Sequence, residues 1–110
     1  MNIPNSARHE CKQKWIGLAR VEPRSNNDAL GKATGAFVAS IALAENVEDF
    51  AQKTTEALNN LEFDVVEIED VELFEKRAQR HAIAPDVLKL AEGVNEEKPI
   101  ALAAFHSYQT

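Results

Sequence analysis

Residues 35–74, GAFVASIALAENVEDFAQKTTEALNNLEFDVVEIEDVELF, decide the fold. They run from an apolar strand into an amphipathic helix and out into a strand that turns acidic. Within residues 37–43, Phe37, Ala39, Ile41 and Leu43 share one face of an extended segment, and Val38, Ser40 and Ala42 share the other. Neither face carries a charge, which places this strand in the middle of a sheet. Ser40 and the alanines leave room on their side for a close packing partner. Asn46 caps the helix that follows, with Glu48 and Asp49 in its first turn. Val47, Phe50, Ala51, Thr54, Leu58 and Leu61 recur three and four residues apart, so the spacing predicts a helix over Val47–Asn60. Helices often end on a left-handed residue, usually Gly or Asn, and Asn60 is the expected one here. Should Glu62 hold that position instead, strain is stored and Glu62→Gly stabilises the fold. Residues 63–68 form the next strand, centred on Val65 and Val66.

Upstream, residues 15–21 (WIGLARV) alternate as a strand, with Trp15, Gly17, Ala19 and Val21 on one face and Ile16, Leu18 and Arg20 on the other. The connection over residues 22–35 is long for a hairpin and contains turn-forming residues around 28–32. Downstream, residues 71–82 admit two readings. Val71, Phe74 and Ala78 fall at helical spacing, and Glu72 with Lys76 forms a favourable i,i+4 pair, yet IEDVELF also alternates like an extended strand. We favour a helix starting after Asp70. Ala84 before Pro85 interrupts it, and a short helix over 86–92 closes at Gly93. Residues 100–108 (IALAAFHSY) form the last strand.

The order β-β-α-β-α-α-β implies an α+β fold, with a four-stranded mixed or antiparallel sheet and helices on one face. In architecture alone it resembles the small ferredoxin-like α+β sandwiches, whose sheets often pair into dimers. Residues 1–13 read as a flexible arm and 14–110 as a single domain. Val38, Ala42, Ala101 and Ala103, on outward positions of the second and last strands, call for cover by a second subunit, so a homodimer is expected.

With 45% hydrophobic residues among 110, the chain can bury a core without disulfides. Its 12 Lys and Arg against 18 Asp and Glu leave a net charge of -6, which disfavours nucleic acid as a partner. The single Cys11 suits a reducing compartment. The first residues lack a signal-like apolar run, and no stretch reaches the roughly 18 apolar residues of a membrane helix. A cytoplasmic, membrane-free protein is expected.

Seven acids crowd residues 62–75 (Glu62, Asp64, Glu67, Glu69, Asp70, Glu72 and Glu75) with no base among them. Such a run either steers a basic partner or guards a strand edge against aggregation. Glu67, Glu69, Asp70 and Glu72 are therefore the candidate partner-binding residues, in the manner of an inhibitor or immunity-type protein that covers a basic site. Lys76, Arg77, Arg80 and His81 follow, suited to a helix C-terminus or to an anion. A different class of function, a dimeric ligand-binding protein or enzyme, would line a pocket near the last strand with Trp15, His106 and Tyr108. His9 and Cys11 lack further ligands nearby, and Glu67, Glu69 and Asp70 do not match a calcium loop. The GKATG of residues 31–35 lacks the spacing of a phosphate loop. No catalytic constellation, metal or cofactor is expected.

Overall fold

The computed structural model of the chain describes residues 12–109. Strands β1 (Gln13–Pro23) and β2 (Gly35–Ala44) lead into helix α1 (Val47–Asn60), then β3 (Phe63–Leu73), α2 (Phe74–Arg80), α3 (Pro85–Glu92), β4 (Ile100–Leu102) and β5 (His106–Tyr108). Every strand pair is antiparallel, in the order β3-β1-β2-β4, with β5 also paired to β2. The α+β class and the antiparallel sheet are as expected, with five strands instead of four. Of the N-terminal arm, residues 1–11, including His9 and Cys11, lie outside the described residues, and Gln13 already opens β1.

The fifth strand arises because the last segment breaks. Ser40 pairs with Leu102 and Phe37 with His106, so the β4–β5 side carries one residue more than β2 opposite it. Phe105, in the gap, stacks on Phe63 with ring centroids 5.0 Å apart. That core contact is what the slack residue permits.

α1 begins as its sequence dictates. The Asn46 side chain accepts a hydrogen bond from the Asp49 amide at 2.8 Å, and the Asp49 carboxylate accepts one from the Glu45 amide at 3.0 Å. This reciprocal pair satisfies two backbone donors at the helix start. Phe50, Thr54 and Leu58 point to the sheet and are fully buried. Burying Phe50 and Leu58 contributes about 1.5–3 kcal/mol each.

The face they cover consists of Trp15, Gly17, Ala19 and Val21 from β1, opposite Ala42, Ser40, Val38 and Ala36 from β2. Apart from Trp15 at one end these residues are small or β-branched, so the helix sits close. A Cβ on Gly17 would lie 2.8 Å from the Phe50 ring. Here one expectation needs correction. Val38 packs with Leu58 and Ala42 with Phe50, both at 0% exposure within one chain. They do not ask for a neighbour, and the room beside Ser40 is taken by α1 itself.

The long helix thus takes one face, and the short helices lie at one end of the other. Ile16 and Ile41 pack there against Ala91, Val94, Val87 and Leu90 of the α3 region and against Phe74 of α2. The Lys14 ammonium donates to the Ala91 carbonyl at 2.7 Å, beside the Val94 amide that donates to the same oxygen at 3.2 Å, and places a positive charge at the end of α3.

Two further expectations are revised. The helix favoured after Asp70 starts only at Phe74, because Glu72 and Leu73 still pair with Ile16 and Trp15 of β1. Asp70 is no cap; it sits at φ 57, where the β1–β3 register shifts. The left-handed residue after α1 is Glu62 (φ 68), not Asn60. The long loop explains how it is held. Asn27 Nδ2 donates to the Leu61 and Glu62 carbonyls at 3.1 and 2.9 Å, and the Arg24 amide donates to Glu62 at 3.0 Å.

Candidate interaction surface

The face opposite α1 is organised as cross-strand rows, each starting on an acid of the edge strand β3. The first row is Glu72, Ile16, Ile41 and Ala101; the second Glu69, Leu18 and Ala39; the third Glu67, Arg20, Phe37 and His106. α3 covers the apolar centre of the first row. Among the described residues no helix lies over the other two, and Leu18, Arg20, Phe37 and Ala39 are half-buried. Tyr108 completes the patch, its ring centroid 5.3 Å from that of Phe37.

β3 therefore places Glu67, Glu69 and Glu72 on one sheet face, with Asp70 displaced at the bulge. The structure also supplies what the acidic run lacks in sequence. Arg24 pairs with Asp64 at 2.9 Å and Glu62 at 3.9 Å, and Arg20 pairs with Glu67 at 3.5 Å. Glu72 holds both Arg77 and Arg80. Among the described residues, Glu69, Asp70 and Glu75 are the acids of the run without an ion pair. The Arg77 guanidinium first, and then Arg80, hold the Glu72 carboxyl below the usual carboxylate range. The Tyr108 hydroxyl, and after it Glu67, hold the Arg20 guanidinium above its ordinary value.

The three residues expected to line a pocket are not brought together. Trp15 lies on the α1 side, its indole N–H donating to the Ala44 carbonyl at 3.1 Å, next to Phe50. His106 and Tyr108 stand on the opposite face, on β5. What sequence reading missed is the central part of the rows: Leu18, Arg20 and Ala39. The signal for it was Arg20, the one charge in the apolar strand WIGLARV.

A groove of about 680 Å³ adjoins the first row. Ile16 and Ala39 reach it from the sheet, Asp70 and Glu72 from β3, Arg77 and Arg80 from α2, and Ile83 and Val87 from the segment beyond. Among the described residues no three His, Cys, Asp or Glu side chains gather as metal ligands, and no helix is long and apolar enough to cross a membrane. Comparison with known proteins finds no family model, no curated protein and no solved structure that matches the chain.

Proposed function

We propose that the chain is a cytosolic protein-binding module that docks a basic protein on the uncovered half of its sheet, as an inhibitor or immunity-type protein would. The observation that carries this reading is the row pattern: Leu18, Phe37, Ala39 and Tyr108 at the centre around Arg20, which is paired with Glu67, and Glu67 and Glu69 along one rim. Aromatic residues and Arg are enriched at protein interfaces, around a centre poor in charge. A polar rim of one sign steers a partner of the other sign and fixes its register. Glu69 and Asp70 are free to do so, while Glu67 is shared with Arg20. Because Glu72 is committed to two arginines, its part in the rim is to hold α2 against β3.

The test is capture from cytosol by the tagged chain at low and high salt, run beside Phe37→Glu and the double reversal of Glu67 and Glu69 to Lys. A basic protein retained by the parent at low salt, and lost with either variant, supports the reading. An unchanged captured set after the charge reversal removes it. Sedimentation of the purified chain separates the competing occupant: self-association abolished by Phe37→Glu means that a second copy covers this face.

A further inference from the structure

The groove beside the first row sets two guanidinium groups next to an apolar wall, a combination that the interface reading does not use although Ala39 and Asp70 belong to both. We infer that it is a binding site for a small monocarboxylate carrying a short apolar chain. Its volume, about 680 Å³, falls in the range of small-ligand sites, roughly 300–1,000 Å³. Ile16, Ala39, Ile83 and Val87 give it an apolar side, which suits an alkyl chain and offers nothing to a bare inorganic anion.

The polar side is a pair of guanidinium groups locked in place. Arg77 Nε and Arg80 Nη2 both donate to the Glu72 carboxylate, and Arg77 Nη2 donates to the Asp70 carbonyl at 2.8 Å. A guanidinium carries five N–H donors in a planar fork, so each group keeps donors beyond these bonds. The Arg80 side chain is 58% exposed, against 24% for Arg77, and is the one an entering ligand meets. Glu72 and Asp70 balance the two arginines in formal charge on this lining, so what a ligand finds here is not excess charge but the spare N–H donors of the guanidinium groups. The fork geometry of Arg matches a carboxylate, and the bond is charge-assisted. Asp70, on the groove's lining, is the one further carboxylate there and opposes an anion.

The experiment is an NMR titration of the full chain with hexanoate, followed at the methyl groups of Ile16, Ala39, Ile83 and Val87. Saturable shifts confined to these residues are expected. Arg80→Gln, at the last residue of α2, weakens hexanoate by roughly tenfold or more while leaving the rest of the spectrum in place. Asp70→Asn acts in the opposite sense and tightens binding severalfold, a change that a merely structural role for this pair would not produce. Hexylamine and inorganic phosphate serve as controls. Equal binding of hexylamine, the same shifts from phosphate alone, an unaltered affinity in Arg80→Gln, or shifts that never saturate overturns the assignment. Arg80 is not among the docking residues, so the effect of Arg80→Gln on hexanoate is read separately from protein capture on the neighbouring rows.

Discussion

Ser40 Oγ and Thr54 Oγ1 meet at 2.8 Å between β2 and α1, and both residues are fully buried. Each hydroxyl satisfies the other in the layer between sheet and helix. A buried hydroxyl that loses its partner costs about 1–3 kcal/mol, whereas replacing both by apolar groups of similar shape is close to neutral. Ser40→Ala and Thr54→Val are each expected to lower unfolding free energy by about 1–2 kcal/mol. The double variant should lose clearly less than the sum. Urea denaturation of the four proteins measures the coupling, and strictly additive losses would show that the two hydroxyls do not depend on one another.

Glu62 occupies the left-handed region at φ 68 directly after α1. A side chain there costs about 1–2 kcal/mol that glycine does not. The carbonyl of this residue accepts from Asn27 and from the Arg24 amide, bonds that a glycine preserves. The Glu62 carboxylate itself lies 3.9 Å from Arg24, with its side chain 61% exposed, so losing that pair matters little. Glu62→Gly is expected to raise the midpoint of thermal unfolding, and Glu62→Val to lower it. A fall with glycine would mean that the turn draws more from the carboxylate than from its backbone.

Acid should weaken the fold through two carboxylates. The Glu45 amide, then Lys53, hold Asp49 below its ordinary pKa, and the Arg77 and Arg80 pairing does the same for Glu72. Both groups bind protons more readily in the unfolded chain, where their pKa values are about 4. Their contribution is complete above that range and disappears as pH falls through the lower folded values. Glu72→Gln and Asp49→Asn are each expected to be less stable than the parent at neutral pH and to lose less on acidification. Denaturation midpoints taken from pH 7 downwards check this: parallel curves for parent and variants would exclude both groups from the acid response.

How far these features were legible depends on the reach of the forces behind them. The span of α1 was readable, because the Asn46 cap, the acidic first turn and the three-and-four spacing are all local. Its left-handed exit at Glu62 was not, because that residue is held by Asn27 and Arg24 of the distant loop. The boundary between β3 and α2 was not. Residues 71–73 suit either state, and the choice falls to pairing of Leu73 with Trp15 and Glu72 with Ile16, residues more than fifty positions away in the chain. The side of β2 that α1 covers was likewise hidden, since both sides are apolar. The structure shows that α1 takes the smaller residues, where a helix approaches closely, and leaves Phe37 to the open face. The acidic run was legible as composition, but its pairing with Arg20 and Arg24 was not, because these arginines lie 47 and 40 positions from Glu67 and Asp64 in the chain.

The open face carries its own stability test at Gly35. This residue pairs with Tyr108, whose ring lies against its Cα, and an added Cβ would collide with the Tyr108 hydroxyl and come within 2.8 Å of the Val21 carbonyl. The ring can swing away, at the expense of its packing on Phe37 and its hold on Arg20. The carbonyl belongs to the β1 backbone and cannot. Gly35→Ala is therefore expected to destabilise by about 1–3 kcal/mol, the usual range for overpacking. In a Tyr108→Ala background the same substitution should cost less, because one of the two obstacles is gone, but it should still cost something. A cost that vanishes in that background would assign the constraint to the tyrosine alone. One that does not change would assign it to the backbone, and Tyr108 would then be free to move when a partner docks.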